Sequence, residues 1–210
     1  MTTKPKTTTR KTTVKKTSTP RKAAPKATLE LPANPFTFEV FALVNKQKTK
    51  AKKVEVLRKY EHDSLKALFI WNFDESVISL LPPGEVPYSS MKDEQVTTGS
   101  LSTKISQLVG TMDYFDTTSL GNAADMKKGK TTIRKEYTRF YNFCKGGNDQ
   151  LKSLRRETMF IQMLEGLHPL DAEILCLVKD KNLEDKYKIT KEIVSEAYPD
   201  ITWGNRSWLK

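Results

Sequence analysis

The sequence predicts an all-α fold: a compact multi-helix domain with long middle loops, preceded by a disordered basic tail. Three observations carry this. Apolar residues recur at helical spacing through most of residues 31–201. No stretch alternates apolar and polar positions with β-branched residues, so no sheet is expected. Residues 1–28 hold nine Lys/Arg and no acid, and their only apolar side chains larger than Ala are Met1 and Val14.

At 210 residues the chain fits one domain with a small appendage. The formal net charge is +11, but without residues 1–28 only 27 basic residues face 25 acidic ones. The excess charge is therefore a tail, and the body is nearly neutral. Ten threonines and three prolines fill much of the remaining tail. It buries too little apolar surface to offset the entropy of ordering. Its cations, with Lys15, Lys16, Arg21 and Lys22 as the candidate contacts, are expected to track a polyanion and release counterions. A spacer arm and an organellar transit peptide are the competing readings. The composition resembles the Lys/Thr/Pro/Ala arms of histone-like proteins.

Boundaries are expected after a tail of residues 1–30 and a helical domain of 31–201, leaving 202–210 as a polar C-terminal segment. The longest apolar run is far short of the ~20 residues that span a bilayer. The N-terminus has no apolar stretch of the signal-peptide kind. Cys144 and Cys176 have neither metal nor disulfide spacing and read as reduced core thiols. An intracellular setting follows.

Taken in order, Asn34-Pro35 predicts a helix start, with Phe36, Val40, Phe41 and Val44 on one face. Thr49 begins a second helix, with Val54, Leu57 and Tyr60 inward and Lys48, Lys50, Lys52, Lys53 and Arg58 opposite. Asp63 caps a third, carrying Leu65, Leu68, Phe69 and Asn72. Val77–Leu81 is either a helical turn or a short buried extended segment, and Pro82-Pro83-Gly84 ends it. Residues 82–100 read as a loop, 101–113 as a helix and 116–130 as a second loop. A helix from Thr131 or Thr132 turns Ile133, Tyr137, Phe140, Tyr141 and Cys144 inward, and Gly146 stops it. The stretch Gly146–Pro199 organises the rest. At ~100° per residue, Met159, Phe160, Met163, Leu164 and Leu167 make its first helix the expected centre of the core. Pro169 starts the next helix. Thr190 caps a last one, which Pro199 ends.

No catalytic constellation is present. His62 and His168 lack partners at metal spacing, and neither a Walker loop nor a dinucleotide fingerprint occurs. Asp113, Asp116 and Asp125 read as a polar loop. No enzyme activity, cofactor, metal or small-molecule substrate is expected. What remains is phosphate chemistry. Gly146-Gly147-Asn148 offers close backbone approach ahead of a helix N-terminus, and Lys152, Arg155 and Arg156 add charge. Two competing readings are that Asp149 simply caps the helix and that the arginines pair with Glu157, Asp171 or Glu173. Lys127, Lys128, Lys130 and Arg134 form a second cluster on a loop leading into a helix. Trp203 and Trp208 either stack on bases or fold back on the body.

Several elements together resemble known families: the Lys-rich helix at 48–57, Asp63-Ser64-Leu65-Lys66-Ala67-Leu68, Leu154-Arg155-Arg156, and Ile189-Thr190 leading to Tyr198-Pro199. This layout resembles the N-terminal helical DNA-binding domain of phage-type ATP-dependent DNA ligases. Pro-Pro-Gly-Glu-Val-Pro-Tyr at 82–88, Gly-Gly-Asn and Leu-Arg-Arg also resemble a family of small tailed-phage proteins. The resemblance implies a helical domain that cups duplex DNA without reading its sequence, in the cytoplasm of a phage host. Phage or host replication or transcription proteins are further implied partners; a membrane is not. The ligase motif Lys-x-Asp-Gly does not occur, so ligation by this chain is not expected. An adaptor role and RNA or single-strand binding are the alternatives.

Overall fold

The computed structural model describes residues 1–2, 30–88, 99–100 and 130–204. Met1–Glu30 and Leu31–Lys210 form separate units, and every helix described belongs to the second. Eight α-helices are present among the described residues: α1 (Thr37–Lys46), α2 (Lys50–Lys59), α3 (Asp63–Phe73), α4 (Ile133–Glu136), α5 (Ser153–Gly166), α6 (Pro169–Lys179), α7 (Leu183–Tyr187) and α8 (Lys191–Ala197). A 3-10 helix, Tyr137–Phe143, continues α4. The all-α expectation holds, with two small additions. Pro87–Tyr88 pairs antiparallel with Gly99–Ser100, which places a short ladder at the edge of the stretch expected to be loop. Ser79 and Cys144 form an isolated antiparallel bridge. That bridge settles Val77–Leu81 as extended, because Leu80 N donates to Phe143 O and Lys145 N to Ile78 O.

The centre of the core is α3, not α5. Every α3 residue from Ser64 to Asn72 is buried, whereas α5 buries only Arg156, Phe160, Met163 and Leu164. α3 packs against α6, α8, α4 and the 3-10 helix. Trp71 meets Phe140, Phe143 and Phe160, while Phe69 meets Phe41, Phe73 and Tyr198. Full burial of each such ring contributes about 2–3 kcal/mol. Lys66 can sit inside because Glu61 and Asp200 both neutralise it. α5 carries six apolar residues against seven in α3, and its Leu154 remains 77% exposed.

Three helix starts are capped differently from expectation or in a way the local pattern only half shows. α1 begins at Thr37 rather than at Asn34-Pro35, because carboxylates hold its first amides. Glu39 Oε2 accepts from Phe36 N at 2.8 Å, and Asp171 Oδ1 accepts from Phe38 N at 2.9 Å. α3 is capped by His62, whose Nδ1 accepts from Ser64 N at 3.0 Å, so Asp63 is the first helical residue and not the cap. α6 is the Pro-started helix expected, with the His168 ring accepting from Leu170 N. Thr190 caps α8 through Ile193 N, as expected.

The segment after Ile133 is the other departure. An α-helix would have aligned Tyr137 with Tyr141, but the 3-10 turn of three residues aligns Phe140 with Phe143. Those two phenylalanines are fully buried, and Tyr141 is 36% exposed. α7 carries Leu183 and Tyr187 into the core, and nothing in the local pattern singles it out. Cys144 and Cys176 are free thiols, as expected. Burial pushes Cys176 up to about 12. No helix among the described residues is long and apolar enough to cross a membrane.

α2 and α8 share a polar seam. Lys53 Nζ donates to Lys188 O at 2.7 Å, Arg58 donates to the Glu196 and Ala197 carbonyls, and Lys50 pairs with Glu196 at 3.0 Å. Beneath it, the buried Tyr198 hydroxyl donates to Leu57 O at 2.7 Å.

Candidate nucleic-acid interface

The described cations divide into those committed to the fold and those left over. The α2 row is mostly committed: Lys50, Lys53 and Arg58 neutralise the carbonyl end of α8 and the turn before it. Lys179, whose side chain is almost wholly buried, donates to the carbonyls of Pro82 and Gly84 and pairs with Asp180. Lys186 pairs with Glu173, and Arg139 with Glu136 at 3.0 Å. The side chains of Lys48, Lys52, Arg134, Lys135, Lys152 and Arg155 make no hydrogen bond or ion pair with any described residue.

The Gly-Gly-Asn turn, one of the two clusters expected to approach a phosphate, is packed from within, which corrects the expectation of an open backbone there. Its backbone does approach another group closely, but that group is the protein's own. A Cβ at Gly147 would lie 2.0 Å from Tyr141 O. Gly146, at φ 78°, donates its amide to Asp149 Oδ1 at 2.8 Å, and Gly147 donates to Cys144 O. Asp149 therefore closes the turn and does not cap α5. Asn148 donates from Nδ2 to Asn142 Oδ1.

Arg156 is also corrected, from candidate contact to internal clamp. It is 5% exposed; its Nε donates to Asn142 O at 2.8 Å and its Nη2 to Asn148 O at 2.9 Å. The carboxylates expected as arginine partners are engaged elsewhere: Glu157 accepts from Ser153 Oγ, Glu173 binds Lys186, and Asp171 caps α1. Lys152 and Arg155 remain exposed at the start of α5, where no side chain caps the helix and no acid occupies the first turn. That end attracts anions.

Arg134 is half-buried at the start of α4, and Lys135 beside it is exposed. Burial lowers the Arg134 pKa, but a guanidinium keeps its charge. Burial, and then the Arg134 charge, lowers His62, while Asp63 opposes them. Lys130 is exposed and has a partner of its own. Thr131 N donates to Gly166 O at 2.9 Å, which sets this cluster at the C-terminal end of α5. Lys152 lies at the other end, so the two groups stand apart by about the ~20 Å length of a 14-residue helix. They are two separate clusters, not one patch.

Trp203 folds back on the body: its Nε1 donates to Ser195 Oγ at 3.1 Å, and Lys191 sits over its ring. Gly204 N donates to Asp74 Oδ2 at 2.7 Å, fixing the same segment. The candidates Lys15, Lys16, Arg21, Lys22, Lys127 and Lys128 lie outside the described residues. So do the helix expected at 101–113, Trp208, and Asp113, Asp116 and Asp125. No group of three or more metal-ligating side chains occurs among the described residues. Lys135 was not singled out in the sequence because one helical turn holding Arg134, Lys135 and Arg139 does not show which cation Glu136 pairs with.

This arrangement is that of a helical domain whose uncommitted charges sit at helix starts. A family model matches residues 40–115 and 115–185, and the chain belongs to that family, DUF6433, a family of unknown function. No curated protein and no solved structure matches it.

Proposed function

We propose that this chain is a non-catalytic nucleic-acid-binding protein that grips the phosphates of duplex DNA and draws most of its affinity from contacts carrying no sequence information. The carrying observation is the sorting of charge. Residues 1–28 hold nine cations with no acid, while in the body Arg134, Lys135, Lys152 and Arg155 stay uncommitted among cations mostly spent on carbonyls and acids. The resemblance to the ligase DNA-binding domain and to small tailed-phage proteins supports the same reading, with the protein acting in a host cytoplasm. An adaptor surface would use Phe36, Phe73 and Trp203, and each of these is half-buried in internal contacts.

The test is duplex affinity against salt for the full chain and for one lacking residues 1–28. Nine tail contacts give a log–log slope near −8, and four body contacts about −3 to −4. A truncated body with no duplex affinity at low salt would end the claim that the helical domain itself touches DNA.

A further inference from the structure

His62, Arg134 and Tyr137 meet where the start of α3 packs on α4 and the 3-10 helix. Arg134 and Tyr137, three residues apart, share one side of that turn. The His62 ring stands edge-on to Tyr137, with centroids 6.0 Å apart and planes at 83°. Its Nδ1 accepts from Ser64 N at 3.0 Å, so the hydrogen of the neutral ring sits on Nε2. Neither Nε2 nor the Arg134 guanidinium has a hydrogen-bond partner among the described residues. Both side chains are half-buried, and neither group is sealed from solvent.

Two donors thus stand at one place without an acceptor among the described residues. Arg134 is close enough for its charge to act on His62. The nearby acids do not answer them. Glu136 is spent on Arg139 and Thr131, and Asp63 is exposed on the first turn of α3. An oxyanion between the guanidinium and the imidazole would accept from both, with charge-assisted strength.

We propose that His62 and Arg134 together hold one phosphate of the DNA backbone, His62 donating from Nε2 and Tyr137 fixing the plane of its ring. The inference rests on the phosphate-gripping reading for the identity of the ligand, and adds to that reading a donor, His62, outside the Lys/Arg set.

A phosphate so held also favours the charged ring. Burial first, and then Arg134, oppose a proton on His62 in the free chain; Asp63 favours one, and the Tyr137 hydroxyl is uncharged. Bound phosphate offsets the Arg134 repulsion. The added proton goes to Nδ1, which then donates to Ser64 Oγ, 2.9 Å away. The resulting gain in affinity is full below the His62 midpoint of the free chain. It is lost as pH rises through the midpoint of the complex.

The test follows the His62 Cε1–H resonance of the full chain by NMR against pH. The chain is titrated alone and with duplex DNA, inorganic phosphate or acetate at equal ionic strength. Duplex is expected to raise the midpoint by about one unit, and duplex affinity to rise by up to about ten-fold from pH 8 to pH 5. His62→Asn keeps a cap acceptor for Ser64 N and should lose that pH dependence. Arg134→Gln leaves the cap untouched, so it carries the test if His62→Asn fails to fold. It should raise the midpoint of the free chain and shrink the rise on adding duplex.

The site is overturned if acetate raises the midpoint as much as phosphate does, if the rise is the same in Arg134→Gln, or if folded His62→Asn keeps the full pH dependence. A chain that binds duplex without moving His62 loses this inference alone. One that binds no duplex, yet whose His62 midpoint rises with inorganic phosphate, keeps the site for free phosphate and loses the duplex reading. If neither duplex nor phosphate acts on His62 and no duplex binds, both fall.

Discussion

Asp171 of α6 holds the start of α1 through Phe38, accepting from its amide at 2.9 Å across 133 residues of sequence. The contact joins the family's two matched segments, or their immediate flanks, around a single buried carboxyl. Burial raises Asp171 to about 7, the Phe38 amide opposes, and Glu39 adds to the rise.

The resulting pH dependence has a definite sign. Between the ordinary 3.8 and about 7, the folded state keeps a proton that the unfolded state has lost, so Asp171's contribution to stability falls as pH rises. Asn has no such proton. Urea unfolding of wild type and Asp171→Asn at pH 4 and pH 8 should show the difference moving toward Asn by about 2–4 kcal/mol. A difference independent of pH would show that Asp171 does not titrate in that window.

Arg156 and its neighbours should separate fold from contact. Arg156→Ala leaves the Asn142 and Asn148 carbonyls without their donor and should cost about 3 kcal/mol of stability. Lys152→Gln with Arg155→Gln should leave stability within about 0.5 kcal/mol while reducing the duplex salt slope by about 2. If the double variant binds DNA like wild type, the start of α5 is not a contact.

Gly147→Ala tests the reading of the turn. The new Cβ would meet a backbone oxygen at 2.0 Å, which only a shift of the 141–147 backbone relieves. A loss of about 2–4 kcal/mol is expected in chemical denaturation. Gly84→Ala is the control: its Cβ would meet nothing within 4 Å, and its cost comes only from φ 91°.

Charge neutralisation in the tail gives the fourth prediction. Replacing Lys15, Lys16, Arg21 and Lys22 with Gln should flatten the duplex slope by about 3 to 4 and leave thermal unfolding of the helical domain unchanged. A change in unfolding would reveal contacts between tail and body.

What could be read from the sequence divides along physical lines. Helix positions marked by local chemistry were legible: Pro169 at a first turn, Thr190 at a cap, Leu57 and Tyr60 on one face of α2. Misreadings arose wherever the deciding partner is remote. The cap on α1 comes from Asp171, and the close neighbour of Gly147 is Tyr141. Arg155 and Arg156 are adjacent and chemically identical, yet only the second reaches two carbonyls. The 3-10 geometry of 137–143 was hidden because Tyr137, Phe140, Tyr141 and Cys144 suit a period of 3.6 as well as Phe140 and Phe143 suit a period of three.

The hydroxyl of Tyr198 on the carbonyl of Leu57 spans 141 residues. At roughly 5–20 residues per second of synthesis, about 7–28 s separate the appearance of these two partners. Through that interval the chain holds α2 with its inner apolar side only partly covered by α1, with Lys53 and Arg58 lacking the carbonyls they will bind and Lys50 lacking the Glu196 carboxylate. The last helix thus acts as the closing step of biogenesis, and the nascent chain passes through a long interval in which it is cationic, half-sealed and open to chaperones.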